Sequence, residues 1–201
     1  METKRFEFKD IKAISQEIKA GGMVAIPTDT VYGLAISTQE DENYQKLVKA
    51  KGRPDNKPFP LMVSSFEQLE SVAELSERDR HLVHTFMPGA VTFVFKRKKE
   101  VFSFLEAFDT IGIRMADDAW VQALIDIVGY PLWLPSANLS GYDTATSSDM
   151  VLEQMDGLIN GVVLGKSKAQ LSSSVFDLSG EEITVLRQGN ISLEAIMEEV
   201  N

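Results

Sequence analysis

Cysteine is absent from the 201 residues, and histidine occurs only 2 times. The first absence excludes a disulfide scaffold, thiolate metal ligands and a cysteine nucleophile. The second leaves His81 and His84 alone on one predicted helix at i, i+3, without a third ligand at a recognisable spacing, so they read as surface or cap residues. No run of 18 apolar residues occurs, so no membrane span is expected. The start, Met1-Glu2-Thr3-Lys4-Arg5, leads into a polar amphipathic stretch rather than an apolar signal core. A soluble cytoplasmic protein, monomer or homodimer, is the expectation. Positive charge is in the minority: 20 Lys+Arg against 30 Asp+Glu give a formal net charge of −10. Such a body repels a phosphate backbone unless its cations are gathered locally, which excludes an overall basic nucleic-acid footprint. Where the few cations sit therefore becomes the question.

What is present is ordinary globular material, 44% hydrophobic and 25% charged, long enough to bury roughly 70% of its unfolded surface. Ile11, Ile14 and Ile18 fall at helical spacing before Gly21-Gly22, residues 41–50, 117–128 and 149–155 also read as helices, Ser76 is the N-cap of another that Pro88-Gly89 breaks, and Ser192 caps a last one. Between them, short apolar runs at 23–26, 31–36, 61–63, 91–96, 110–115, 131–134, 161–164, 174–178 and 183–187 read as strands. This alternation predicts an α/β fold with a twisted, open, mixed sheet and flanking helices. No linker, repeat or low-complexity segment divides the chain, so residues 1–201 are expected to form one domain.

Three polar loops follow strand or helix ends, where open α/β sheets place their ligands. In Pro27-Thr28-Asp29-Thr30-Val31-Tyr32-Gly33-Leu34, hydroxyls and backbone N–H groups offer a small polar site, or a turn that satisfies its own backbone. In Lys51-Gly52-Arg53 with Lys57, Gly and Pro shape a loop in which three cations can converge on phosphate or carboxylate. Ser136-Ala137-Asn138, followed by Ser140-Gly141, puts small polar groups after an apolar strand. Walker A, Gly-x-Gly-x-x-Gly and Gly-x-Ser-x-Gly patterns are all missing. Lys96-Arg97-Lys98-Lys99 reads as a solvated sheet edge that discourages aggregation, or else as an RNA contact.

Together with Pro88-Gly89-Ala90-Val91-Thr92, Gly112-Ile113-Arg114, Ser173-Ser174-Val175-Phe176-Asp177-Leu178 and Leu186-Arg187-Gln188-Gly189, these segments resemble, in order, the YrdC-like family of L-threonylcarbamoyladenylate synthases. The resemblance covers residues 21–196. It implies a twisted α/β sheet around a positively lined cavity. The implied reaction joins L-threonine, bicarbonate and ATP into threonylcarbamoyl-AMP and pyrophosphate, and separate partner proteins then carry the threonylcarbamoyl group to tRNA next to the anticodon. By resemblance, Lys51, Arg53, Ser136 and Asn138 form the catalytic set. Thr30, Arg114 and Ser173 would hold threonine, and Arg53, Lys57, Thr110, Ser136, Thr144 and Arg187 would face the nucleotide. Mg²⁺ is expected to arrive with ATP, since no carboxylate cage is visible and no metal ligands are assigned. Carbamate formation needs no nucleophile. The attack on the α-phosphate brings two anions together, so clustered Lys51, Arg53, Lys57, Arg114 and Arg187 suit the task.

The chain departs from the family pattern at several points. Pro58-Phe59-Pro60-Leu61-Met62-Val63-Ser64 is two residues longer than the usual stretch and carries Ser64 where many members have His. Ala90, Ser174 and Gln188 replace a usual Pro, Thr and Pro. The chain ends soon after Arg187, so the C-terminal domain that some members append is expected to be absent. Residues 140–148, with Gly141 and small polar groups, are a lid candidate, and the sequence does not reveal whether they close over ATP. Two other classes compete: a module binding tRNA or double-stranded RNA, and a family relative that carbamoylates another target. Aromatics are not interleaved with the cations as base stacking requires.

Overall fold

The computed structural model describes residues 2–52 and 58–200. Strand β1 (Lys4–Phe6) opens the chain, and α1 (Ile11–Lys19) follows with Ile14 and Ile18 fully buried on one face. After β2 (Val24–Ile26) and β3 (Gly33–Ser37), α2 (Asp41–Lys51) stops at Gly52, whose φ of 57° is the left-handed cap that glycine supplies without strain. β4 (Leu61–Met62), α3 (Phe66–Val72) and β5 (Ala73–Glu74) come next. Ser76 and Asp79 form a reciprocal capping box at the start of α4 (Glu77–Phe86). The hairpin of β6 (Val91–Arg97) and β7 (Thr110–Arg114) precedes α5 (Ala119–Val128), whose Asp118 cap accepts from two backbone N–H groups. β8 (Leu132–Trp133), α6 (Ser148–Met155), β9 (Gly161–Val163), β10 (Ser174–Asp177), β11 (Thr184–Arg187) and α7 (Leu193–Glu198) complete the order.

The strands form one sheet in the order β1-β9-β2-β3-β8-β4-β7-β6-β10-β11, with β5 pairing alongside β6. Pairing is mixed: β4 with β7 and β6 with β10 run parallel, while β6 with β7 and β10 with β11 run antiparallel. The twisted, open, mixed α/β sheet expected from the alternation is therefore found. One face carries Ala25, Leu34, Phe93, Ile113, Trp133 and Phe176, and helices α2, α3, α4, α6 and α7 pack on it. On the other face, α1 and α5 cover only Val24, Ile26, Ala35, Met62, Leu132 and Val163, which belong to β2, β3, β4, β8 and β9. Along β7, β6 and β10 that second face changes to Thr110, Gly112 and Arg114, then Thr92 and Val94, then Val175 and Asp177. The helices end where the side chains turn polar, and a cavity opens there.

Several sequence expectations need correction. The 31–36 strand begins only at Gly33, because Thr28 to Tyr32 bond to their own turn and to neighbouring loops. β1 and the α3–β5 pair were not foreseen, although Ser65 accepting from the Gln68 N–H, with Leu69 and Val72 buried beyond it, is a legible start signal. Lys96-Arg97-Lys98-Lys99 is not an open edge. β6 has partners on both sides, and Arg97 is buried with its guanidinium donating to the carbonyls of Phe108, Lys98, Lys99, Val101 and Leu105. Its charge fastens the loop between β6 and β7 and is turned away from any polyanion.

Candidate active site

A cavity of about 610 Å³ lies on the uncovered half of the sheet face, within the range of roughly 300–1,000 Å³ typical of small-molecule sites. Its cations come from three distant segments. Lys51, the last residue of α2, is buried, and its ammonium donates to the carbonyls of Ser136 at 2.5 Å and Asn138 at 2.8 Å. The Ser136 hydroxyl donates to Asn138 Oδ1 at 2.6 Å, and the Asn138 amide donates to the carbonyls of Leu139 and Tyr142, both at 2.9 Å. Asn138 thus fixes the loop that grips Lys51, while Ser136 faces the cavity. The same loop is tied to β3: the Leu34 N–H donates to the Pro135 carbonyl at 2.8 Å and the Ala137 N–H to the Tyr32 carbonyl at 2.7 Å. A Cβ on Gly33 would stand 2.8 Å from Leu134 Cγ, so this approach needs glycine.

Arg114, at the end of β7, is the second cation. Its guanidinium donates to the Gly89 carbonyl at 3.1 Å, to Thr30 Oγ1 at 2.6 Å and to the Asp29 carboxylate, and the Arg114–Asp29 ion pair is more than nine-tenths buried. Burial pushes the Arg114 pKa below its ordinary value, and the Asp29 charge opposes that shift. Thr28 and Thr30 complete this side: their hydroxyls lie 3.1 Å apart, and Thr28 also donates to the Val31 carbonyl at 2.7 Å. The loop does satisfy its own backbone, and it still turns Thr28 and Thr30 toward the cavity.

Arg187, on the edge strand β11, is the third. It donates to the Ser173 carbonyl at 2.9 Å and to the Ser173 hydroxyl at 3.0 Å, and that hydroxyl is 2.9 Å from Thr92 Oγ1. Partial burial, then the charge of Arg114, lower its pKa from the ordinary value. Among the described residues it has no ion-pair partner within 4.0 Å, so its charge faces the cavity unmet. The turn after it is held by Ser174, whose hydroxyl accepts from the N–H groups of Gly189 and Ile191 at 3.0 Å each. A Cβ on Gly189 would stand 2.5 Å from Ser174 N, so only glycine brings β11 this close.

Thus Lys51, Arg114, Arg187, Thr30, Thr110, Ser136 and Ser173 are brought together around one cavity. Asn138 stands behind it, and Thr144 is not among the lining residues, although the next carbonyl, that of Ala145, accepts the Tyr32 N–H at 2.9 Å. Arg53 and Lys57 lie outside the described residues. Ser64 is not in the lining either: its hydroxyl is buried without a hydrogen-bond partner among the described residues, and its N–H donates to Gln68 Oε1. His81 reaches Glu199 at 3.2 Å on the surface, and His84 packs on the Phe66 ring, both remote from the cavity. Sequence reasoning missed Asp29 as the partner of Arg114, and it missed Thr92 and Asp177. The i, i+2 alternation Thr92/Val94 and Ser173/Val175/Asp177 was the available signal.

The model of the Sua5/YciO/YrdC family, described as telomere recombination, matches residues 16–189. The chain belongs to this family. A relative from Pyrococcus abyssi (strain GE5 / Orsay), named threonylcarbamoyl-AMP synthase, is 34% identical over 96% of this chain and 57% of its own length. One from Bacillus subtilis (strain 168) with the same name is 33% identical over 89% and 53%. The family member spans about half the length of the curated relatives it matches. The crystal structure of P. abyssi Sua5 complexed with L-threonine superposes with a TM-score of 0.90 at 32% identity, over 98% of this chain and 60% of that one. No described helix is long and apolar enough to cross a membrane.

Proposed function

We propose that this protein is a threonylcarbamoyl-AMP synthase, a nucleotidyl-transferring enzyme that uses L-threonine, bicarbonate and ATP and releases pyrophosphate. The observation that carries this reading is the convergence of Lys51, Arg114 and Arg187, from three separate segments of an acidic chain, on one cavity floored by hydroxyl groups. The threonine amine condenses with bicarbonate, losing water, to give a carbamate. A carbamate oxygen then bonds to the α-phosphorus of ATP as the bond to pyrophosphate breaks. Both reactants are anions, so the barrier is lowered by fixed positive charge and alignment rather than by a nucleophilic side chain.

Thr30 and Arg114 are suited to orient the threonine, with Ser173 joined to that side through the Thr92 hydroxyl, 2.9 Å away. Lys51, Ser136, Thr110 and Arg187 are suited to face the nucleotide, with Asn138 holding Lys51 and Ser136 in place. Arg53, Lys57 and Thr144 join that nucleotide set by family resemblance. A magnesium ion would enter on the nucleotide, because the polar part of the lining is hydroxyl and cationic with one carboxylate, that of Asp177, among its described residues. Bound there, it would supply charge neutralisation on phosphate oxygens. The continuous sheet supports reading residues 1–201 as one domain, and the reading includes a cytoplasmic enzyme with other proteins passing the product's threonylcarbamoyl group to tRNA. Burial of Arg97 removes the centre of the basic run on which RNA binding would have relied.

Purified protein given threonine, bicarbonate and ATP should form an AMP-linked threonyl carbamate and pyrophosphate in equal amounts. The reading is abandoned if no product forms while the B. subtilis relative makes it in parallel.

A further inference from the structure

The cavity is cationic at one end and carries a single carboxylate, that of Asp177, among its described lining residues. Val175 pairs with Thr92 and, across β11, with Arg187, so that row is the cationic end. Asp177 is two residues further along β10, opposite Val94, which is itself opposite Gly112, and same-face neighbours along a strand are roughly 7 Å apart. One carboxylate oxygen, Oδ1, accepts from the Ser179 N–H at 2.9 Å and the Ser179 hydroxyl at 2.6 Å, which fixes the side chain. The other, Oδ2, has no hydrogen-bond partner among the described residues.

An ionised carboxylate is an acceptor only. In a cavity suited to phosphate it would repel the ligand, unless the part of the ligand beside it is neutral and carries N–H or O–H donors. The geometry points to Asp177 as a recognition residue for the nucleoside half of the nucleotide: Oδ2 accepts from a ribose hydroxyl or from the exocyclic amine of the base, while the phosphates extend toward Arg187. This rests on the nucleotide reading of the cavity proposed above. Val94 and Gly112 give the nucleoside an apolar floor beside the carboxylate.

The test is AMP binding in EDTA, by calorimetry, to the wild-type chain and to Asp177→Asn. The asparagine keeps a carbonyl oxygen for Ser179 but turns an NH₂ donor toward the ligand, so AMP affinity should fall roughly ten- to a hundredfold with an unchanged melting temperature. Three analogues identify the donor: 2′-deoxy-AMP, 3′-deoxy-AMP and inosine monophosphate. The one lacking it should bind wild type as weakly as AMP binds the variant, and should not distinguish the two proteins. Equal AMP affinity of both proteins overturns the assignment while leaving the synthase reading intact. A loss confined to ATP with magnesium makes Asp177 a metal contact and likewise overturns it, as does equal sensitivity of all three analogues to the substitution. Failure of wild type to bind AMP at all overturns the nucleotide reading, and this assignment with it.

Discussion

One face of the sheet is built two ways. Under α1 and α5 its residues are Val24, Ile26, Ala35, Leu132 and Val163, sealed by Leu124, Ile125 and Val128. A few strands away the same face presents Thr92, Thr110, Gly112, Arg114 and Asp177 with no helix above them among the described residues. The backbone ladder is continuous through both halves, so the difference lies in side chains alone. Apolar residues bring a helix down by burying area, at about 25 cal/mol per Å². Hydroxyls, a glycine and a guanidinium forgo that stabilisation and leave a concave surface with charge held in place. In this fold the candidate active site is the portion of the sheet face that no described helix caps.

The sharpest break of that comparison is Asp29→Asn. It leaves Arg114 buried among Thr30 and the Gly89 carbonyl without its counter-charge, and loss of one partner of a buried pair costs about 3–5 kcal/mol. Denaturant titration should show that drop, and activity should fall with it. Leu124→Ala opens a void on the covered half and should cost about 3 kcal/mol of stability while leaving kcat/KM unchanged in protein that is still folded. Arg187→Gln should do the reverse. Its guanidinium meets only Ser173 among the described residues, so the unfolding free energy should hold within about 1 kcal/mol. Synthase kcat, measured by pyrophosphate release, should fall roughly 10²-fold, about 2.7 kcal/mol, as for removal of one preorganised donor. A stability loss without a rate loss would move Arg187 to the structural half.

The covered half was legible in the sequence because burial imposes a period: Ile14 and Ile18 in α1, and the apolar run in α5 between the Asp118 cap and Gly129, announce themselves. The cavity half was legible mainly through family resemblance, because Thr30, Arg114 and Ser173 are separated by about 60 to 80 residues and meet only through sheet order. Pairing of Arg114 with Asp29 rather than with open solvent depends on where β7 ends against the Thr28–Thr30 turn, and spacing alone carries no such information. Lys96 to Lys99 misled for the same reason. A run of four cations reads as a solvated edge until β5 and β7 are found on either side of Lys96, with Arg97 buried and donating its hydrogen bonds to loop carbonyls.

Gly112→Ala sets the two halves against each other with the smallest expected effect on stability. In a strand interior, glycine costs about 0.5–1 kcal/mol relative to alanine through backbone entropy. The added Cβ would stand 3.3 Å from Thr92 Cγ2 and 3.7 Å from Val94 Cγ2, so some of that gain goes into displacing Thr92, whose hydroxyl is tied to Ser173. The unfolding free energy should therefore move by less than about 1 kcal/mol. The methyl group occupies the middle of the cavity floor, between Arg114 and Thr110 on the same strand face, so KM for ATP should rise several-fold while the melting temperature stays nearly fixed. An unchanged KM for both ATP and threonine would mean that neither substrate reaches the centre of the uncapped half, and the nucleotide would have to lie along the β10–β11 wall instead.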